Sequence, residues 1–398
     1  MVTSYFREDP RTREIVRLLE ESGQNRIRLA GLSGSSRALV ASAVFETIPA
    51  IHCFILPDRE SAAYFCNDLE QIFGEKEKES EKKQVLFFPS SFRKQARLGN
   101  KDNMGLLART EVLNRLHSRE GKFIMVSYPE ALSEKVVNRE FLEKNTLKLS
   151  TGETVSHDFV LDLLIEYEFE RVDFVAEPGQ FSLRGGLIDV YSFSGEHPYR
   201  IEFDGEKVAS IRTFDPSTQL SIERKTGITI VPDIRISRDR KITYDPVFRF
   251  ISDRSVIWAE DLQYVADLFS RQEEKDLYVT GQEFTGALER FRVVEYGSRQ
   301  YFSEARAIRY ETVPQPVFHK NFDLLFENLA DNTGSGIRNI ILADNEKQSE
   351  RLASILGDLR LRNTSGRPPE YHIVRYPLHE GFIDKTLKVA FYTDHQIF

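Results

Sequence analysis

The chain has 398 residues, of which 40% are hydrophobic and 29% are charged, and its net charge is −8. This composition is typical of a globular protein with two to four domains, and the acidic balance argues against a general nucleic-acid-binding protein. The two cysteines, Cys53 and Cys66, do not suggest a disulfide framework. No stretch approaches the roughly 20 apolar residues of a membrane span. We therefore expect a cytoplasmic protein without a membrane partner.

Strands and helices alternate over the first 141 residues. A helix is expected to begin at Pro10, directly after Asp9. Apolar periodicity then predicts strands over 27–30, 51–56, 85–88 and 123–126, and helices over 39–45, 59–73 and 110–116. Alternation of this kind predicts a parallel sheet of the nucleotide-binding type.

Two polar segments interrupt this alternation. The mixed-charge run 75–83 predicts a solvated loop. The stretch 90–103 predicts a surface loop, with contact to a phosphate backbone as the alternative, because it carries four basic residues, Arg93, Lys94, Arg97 and Lys101.

From about residue 142 the pattern changes to short strands. They are predicted at 174–176, 180–184, 187–191, 199–203 and 208–214, and glycine-containing turns separate them. After Pro232 the α/β pattern resumes, with a strand at 256–258 and a helix at 262–269. A further unit follows Pro316, with strands at 339–342, 371–374 and 387–392 around a helix at 347–359.

These patterns predict an α/β fold. It consists of a degenerate P-loop NTPase-like parallel-sheet domain, an inserted small, mainly antiparallel β domain and a further small α/β domain. The expected boundaries are 1–141 and 216–318 for the two parts of the parallel-sheet domain, 142–215 for the insert and 319–398 for the last domain.

Residues 31–38 have the outline of a phosphate-binding loop in which the chemical groups are replaced. A working loop ends in Lys and Ser or Thr, which contact the phosphates and Mg²⁺. Here Gly31 and Gly34 are present, but Ser36, Arg37 and Ala38 occupy the positions of the final Gly, the Lys and the Ser or Thr. Ala38 has no oxygen for Mg²⁺, so we expect no bound cofactor. The alternative is a plain strand-to-helix turn that needs glycine for its backbone angles.

No other catalytic or metal site is expected. The eight histidines show no pairing at metal-ligand spacing, and two cysteines alone do not form a zinc site. No G-x-S-x-G or other nucleophile signature is present.

The segment 170–203 carries a family resemblance. It reads ERVDFVAEPGQFSLRGGLIDVYSFSGEHPYRIEF and resembles the second domain of the nucleotide-excision-repair protein UvrB and of the bacterial transcription-repair coupling factors (Mfd). Its hallmarks are an opening Arg, a Gly-x-Phe, an Arg-Gly turn, an Ile-Asp pair and a closing Arg-Ile-Glu-Phe. They stand at Arg171, Gly179 and Phe181, Arg184 and Gly185, Ile188 and Asp189, and 200–203.

Two features favour the coupling-factor family over UvrB. UvrB is expected to carry Lys and Thr at the positions of Arg37 and Ala38. The segment 256–262 reads VIWAEDL, with Ala259 where UvrB-type ATPases place an Asp, so Glu260 and Asp261 are expected to be an ordinary acidic helix start. A tyrosine-rich hairpin after the loop is also absent, so we expect no damage recognition. The resemblance implies UvrB-like domains 1a, 2 and 1b plus a domain 3, an N-terminal piece of a longer protein.

The resemblance also implies partners. In both families the second domain docks UvrA, so Arg171 and Arg184 are expected to form electrostatic contacts, with Phe181 and Tyr191 as aromatic anchors. Where UvrB has a further Arg, this chain has Ser182. The alternatives are that Arg184 only caps a turn and that Phe181 is a core residue.

The expected function is recruitment of UvrA to stalled-transcription sites by a non-catalytic module. The longer protein is expected to be an ATP-dependent DNA translocase that displaces RNA polymerase, with RNA polymerase and double-stranded DNA contacted outside this chain. A weak P-loop ATPase using Arg37 and an ATP-independent DNA-binding module remain as alternatives.

Overall fold

A computed structural model describes residues 2–21, 23, 25–75, 78, 83–91, 103–118, 121–140, 146–233, 243–272, 274–362 and 368–398. The basic residues Arg93, Lys94, Arg97 and Lys101 lie outside these ranges, as does most of the charged run 75–83. The loop predictions for both segments therefore stay predictions.

The strands are numbered in chain order. They are β1 (Arg26–Ala30), β2 (His52–Ile55), β3 (Val85–Phe87), β4 (Ile124–Ser127), β5 (Val136–Val137), β6 (Leu147–Ser150), β7 (Glu170–Arg171), β8 (Gln180–Arg184), β9 (Leu187–Val190), β10 (Tyr199–Asp204), β11 (Lys207–Phe214), β12 (Ser221–Lys225), β13 (Gly227–Ile230), β14 (Tyr244–Asp245), β15 (Val256–Glu260), β16 (Arg292–Tyr296), β17 (Arg306–Arg309), β18 (Thr312–Pro314), β19 (Arg338–Ala343), β20 (Tyr371–Arg375), β21 (Phe382–Asp384) and β22 (Val389–Thr393).

The α-helices are numbered in the same way. They are α1 (Ser4–Arg7), α2 (Pro10–Glu20), α3 (Ser36–Thr47), α4 (Arg59–Phe73), α5 (Asn103–Ser118), α6 (Pro129–Ser133), α7 (His157–Glu166), α8 (Leu262–Ser270), α9 (Gly281–Leu288), α10 (Phe322–Gly334), α11 (Glu346–Arg362) and α12 (Asp394–Ile397).

The largest layer is a seven-stranded sheet in the order β17-β1-β16-β15-β2-β4-β3. All its neighbouring strands are parallel, as the alternation of strands and helices predicts. Helices that return the chain between parallel strands cover the sheet faces, so the strands are apolar. In β2 and β4 every residue is buried.

The helix ends around this sheet follow the expected capping chemistry. Asp9 precedes Pro10 at the start of α2, and its carboxylate accepts the Arg11 N–H at 2.9 Å. Asp58 caps α4 by accepting the Ser61 N–H at 2.8 Å. Gly74 ends α4 in the left-handed conformation, with φ +63°.

The second layer is a six-stranded sheet in the order β12-β11-β10-β9-β8-β7. Its pairs are antiparallel except β7 with β8. Helix α7 contributes Val160 and Leu164 to the same buried cluster as Phe181, Ile188 and Ile201. One face of the sheet is thus buried, while the opposite face carries polar side chains.

The last unit is a five-stranded mixed sheet in the order β18-β21-β22-β19-β20. Its own core lies between the sheet and the helices α10, α11 and α12. Phe382 and Phe391 of the sheet also belong to the same buried cluster as Phe6 at the beginning of the chain. The Phe6 ring lies 6.0 Å from the Phe382 ring, and the Arg11 Nη2 lies 2.8 Å from the Asp384 Oδ2. The unit is therefore held against the parallel-sheet domain by apolar and ionic contacts.

The predicted fold class is confirmed, since a large parallel sheet is combined with smaller antiparallel and mixed sheets. One predicted strand is wrong: residues 174–176 form no strand, and the strand of that region is β7. Val175 is buried beside Tyr191 and Phe214, which explains the apolar pattern without strand pairing. In the described ranges, no helix is both long and apolar enough to cross a membrane.

Candidate functional site: a degenerate phosphate loop and a docking sheet

The degenerate phosphate loop connects β1 to α3 as the sequence predicts. Gly31 has φ +80°, and a Cβ there would lie 2.1 Å from the Tyr310 carbonyl oxygen. Gly34 has φ +55°. Both glycines are needed because neighbouring backbone approaches the loop closely and because L side chains disfavour positive φ.

The cationic side chain of the loop is neutralised within the protein. Arg37 Nη1 donates to the Glu260 Oε1 at 2.5 Å, and Arg37 Nη2 lies 3.8 Å from the Glu380 Oε2. Burial raises the pKa of the Glu260 carboxyl, and the charge of Arg37 opposes that shift. Ala38 is fully buried. The guanidinium is thus engaged by carboxylates and is not free for a phosphate.

The acidic pair at the end of β15, Glu260 and Asp261, makes contacts that differ from those of an acidic helix start. Glu260 is the last residue of β15 and pairs with Arg37. Asp261 precedes α8, but its carboxylate makes no capping bond to that helix. It accepts instead the N–H groups of Ser298 at 2.7 Å and Arg299 at 3.0 Å. The expectation of an ordinary acidic helix start is therefore wrong for Glu260; Asp261 does stand at the start of α8, but its carboxylate does not cap that helix.

A cleft of about 240 Å³ lies beside the loop. Its lining includes five carboxylates and Arg37; the carboxylates belong to Asp58, Glu60, Asp68, Glu260 and Glu380. Burial raises the pKa of Asp68 to about 6. Such an excess of negative charge disfavours a nucleotide phosphate. Within the ranges that the structure describes, no group of three or more His, Cys, Asp or Glu residues is arranged to hold a metal ion.

The second candidate site is the polar face of the antiparallel sheet. Its centre is Asp189, whose side chain is only 1% exposed. Arg200 donates from Nε to Oδ1 at 2.7 Å and from Nη2 to Oδ2 at 2.8 Å. Arg184 donates from Nη2 to the same Oδ2. The hydrogen bond to Asp189 raises the pKa of Arg200.

The four predicted docking residues differ in how exposed their side chains are. Arg171 is exposed on β7, and the side chain of Arg184 is 40% exposed at the end of β8. Phe181 is 2% exposed and Tyr191 is 8% exposed. The Tyr191 hydroxyl donates to the Glu196 carbonyl at 2.6 Å. The two arginines are therefore accessible to a partner, whereas the two aromatic rings belong to the protein interior.

The described part of this domain has five exposed large apolar residues that were not predicted as site residues: Phe159, Ile165, Phe174, Leu220 and Ile222. Phe174 is 64% exposed, and its ring centroid lies 5.4 Å from the Arg184 guanidinium carbon. Leu220 and Ile222 are 69% and 48% exposed. The assignment of 174–176 to a strand placed Phe174 in a regular element. The sequence feature that could have indicated the exposure of Phe174 is its position between Arg171 and the Pro178-Gly179 turn.

Comparison with known proteins points to one family. Residues 147–235 match the family profile described as UvrB interaction domain. These residues contain every strand of the six-stranded sheet as well as β6 and β13.

Curated relatives agree with this match. The chain is 29% identical over 231 residues to a transcription-repair-coupling factor of Bacillus subtilis, covering 58% of this chain and 19% of that protein. It is 23% identical over 220 residues to that of Escherichia coli, covering 55% and 18%. For Staphylococcus haemolyticus the identity is 27% over 242 residues, covering 60% and 20%. The chain spans about a fifth of the length of these relatives.

The resemblance that the sequence indicates is confirmed by these findings. Residues 147–235 are thus similar to the UvrB interaction domain, and just over half of the chain is similar to part of the transcription-repair-coupling factors.

Proposed function

We propose that this chain is a non-catalytic docking module that recruits UvrA for transcription-coupled nucleotide excision repair. The observation that carries the proposal is the match of residues 147–235 to the UvrB interaction domain. We also propose that the longer protein is an ATP-dependent DNA translocase that displaces RNA polymerase. RNA polymerase and double-stranded DNA are then partners of regions outside this chain.

The proposed contact surface is the exposed end of β7 and β8. Arg171 and Arg184 present guanidinium groups suited to carboxylates of a partner, and Phe174 adds exposed aromatic area beside Arg184. Arginine and aromatic residues are enriched among the side chains that dominate binding energy at interfaces. The rings of Phe181 and Tyr191 are buried, in two different clusters, so we place them in the interior of the docking domain and not on this surface.

The proposed domain division follows the strand pairing. β12 extends the antiparallel sheet to Lys225, and the family match continues to residue 235. We therefore propose that the docking domain ends near 235, and that the parts 1–141 and 236–311 together form the parallel-sheet domain. Because β18 pairs with β21, we propose that the last domain begins near residue 312.

The proposed absence of ATPase activity is supported by the geometry of the loop. Arg37 is ion-paired, Ala38 has no hydroxyl for Mg²⁺, and Ala259 replaces an acidic residue at the end of β15. Calorimetric titration with Mg-ATP checks this point. We expect no saturable heat up to millimolar nucleotide, and micromolar binding would contradict the assignment.

A pair of double variants tests the docking surface. Arg171→Ala with Arg184→Ala removes the proposed contacts, and Arg249→Ala with Arg290→Ala is the matched control. Arg184 and Arg290 are 40% and 41% exposed, and each is ion-paired with one aspartate. Arg249 is an exposed arginine that is also paired with an aspartate.

We expect the first double variant to bind purified UvrA at least 30-fold more weakly, since losing desolvated interface charges costs about 2–5 kcal/mol. The control variant should bind within twofold of the unmodified chain. Undiminished binding by the folded first variant, or equal losses in both, would reject the docking surface.

A further inference from the structure

The degenerate phosphate loop is occupied by the protein itself. We propose that it serves as a socket for residues 379–381, the latch segment, which fastens the last α/β unit to the parallel-sheet domain. The Ser35 N–H donates to the Glu380 carbonyl oxygen at 3.0 Å. In working phosphate loops the backbone N–H groups point at phosphate oxygens. Here a carbonyl oxygen of the chain takes that place.

Three further hydrogen bonds close this contact. The Glu380 N–H donates to the Ser35 Oγ at 2.9 Å, and the Ser35 Oγ–H donates to the Asp68 Oδ2 at 2.6 Å. The His379 N–H donates to the Asp68 Oδ1 at 2.7 Å. Ser35 and Asp68 are each 3% exposed. Because the bonds share the Ser35 hydroxyl and the Asp68 carboxylate, opening the latch removes the partners of several polar groups at once.

Both segments have a glycine at this contact, Gly34 in the loop and Gly381 in the latch segment. A Cβ on Gly34 would lie 2.8 Å from the Gly381 carbonyl oxygen. A Cβ on Gly381 would lie 1.9 Å from the Gln315 Oε1 and 2.6 Å from the Phe391 carbonyl oxygen. Gly34 thus permits the close approach of the latch segment to the loop.

The negative charge around the loop favours an uncharged backbone segment over a phosphate at this position. Five carboxylates line the neighbouring cleft, so a phosphate would meet a negative field. A carbonyl oxygen accepts the same hydrogen bond without a net charge. The His379 ring also stacks on the Tyr64 ring, with centroids 3.6 Å apart and planes at 8°. The latch segment is thereby held by polar and aromatic contacts from α4 and the loop.

Hydrogen exchange of the full chain tests the latch. Ser35→Ala removes the hydroxyl that links Asp68 to the Glu380 N–H, and Ser61→Ala is the control in the same cleft. The Ser61 Oγ–H donates to the Asp58 Oδ2 at 3.1 Å, at the start of α4. We expect at least tenfold faster exchange of the His379 and Glu380 amides in Ser35→Ala, and no change there in Ser61→Ala.

A glycine pair provides an independent variant. Gly34→Ala and Gly74→Ala both place Ala at positive φ, +55° and +63°, but only the Cβ at 34 has backbone within 4 Å. We expect faster exchange of the latch segment in Gly34→Ala alone. Unchanged exchange of the His379 and Glu380 amides in folded Ser35→Ala, or equal increases in a variant and its control, would overturn the proposal.

Discussion

Asp189 has two arginine partners, and the structure indicates that they contribute unequally to stability. Arg200 makes two hydrogen bonds to the carboxylate, at 2.7 and 2.8 Å, and its side chain is 15% exposed. Its guanidinium carbon also lies 4.4 Å from the centroid of the Phe214 ring. Arg184 makes one hydrogen bond from a side chain that is 40% exposed.

Alanine at each position separates the two roles. Arg184→Ala leaves Asp189 with both bonds from Arg200, so we expect a loss of about 1 kcal/mol or less, as for exposed ion pairs. Arg200→Ala leaves a buried carboxylate with one partly exposed partner and removes the contact with Phe214, so we expect a loss of about 3 kcal/mol. Arg200→Lys should fall between them, because an ammonium keeps the charge but not the two-point geometry.

Urea denaturation followed by circular dichroism measures these differences, and hydrogen exchange in β9 and β10 assigns them to the antiparallel sheet. We predict that Arg184 is expendable for folding and therefore available for a partner. It is refuted if Arg184→Ala destabilises the sheet as much as Arg200→Ala, or more.

Two further predictions concern the cleft and the exposed aromatic residue. The pKa of Asp68 is raised to about 6 from an ordinary 3.8, so folding favours the protonated carboxyl. The protonated carboxyl therefore contributes fully to stability below about pH 4, and this contribution is lost as pH rises through about 6. The free energy of unfolding of Asp68→Asn should therefore rise relative to that of the unmodified chain between about pH 4 and 6, by on the order of 2 kcal/mol. Thermal denaturation at several pH values measures this difference in stability, and a difference that stays constant or falls as pH rises would contradict the prediction. Phe174→Ser should weaken UvrA binding while changing stability by about 0.5 kcal/mol or less, because Phe174 is 64% exposed. Phe159→Ser is its control, since Phe159 is 51% exposed on α7, and equal binding losses in the two variants would show that Phe174 is not a specific contact.

Local signals in the sequence were sufficient for many elements. Helix α4 was predicted with its observed bounds, because Asp58 and Gly74 provide a cap at each end of one apolar face. Helix α10 and strand β16 were not predicted, although Asn321 caps α10 by accepting the Leu324 N–H. Strand β16 lies between β1 and β15, which are distant in the chain, so its place in the sheet is set by tertiary packing.

The candidate sites were predicted only where the chemistry is local. Arg171 and Arg184 follow from a continuous motif, and the structure leaves both accessible. Phe181 and Tyr191 belong to the same motif, but their burial depends on α7 and on Phe214, which lie outside the motif. The contact between Ser35 and Glu380 joins residues 345 positions apart, and no sequence pattern indicates it.

The most direct test of the central claim is a calorimetric titration of purified UvrA with the full chain, repeated in the presence of excess UvrB. If the chain docks UvrA through this domain, binding should be saturable with a Kd of about 1 μM or tighter. Because the domain resembles the second domain of UvrB, excess UvrB should compete for the same site on UvrA and suppress that binding. The absence of saturable heat, or binding that excess UvrB leaves unchanged, would contradict the assignment of residues 147–235 as the UvrA docking surface.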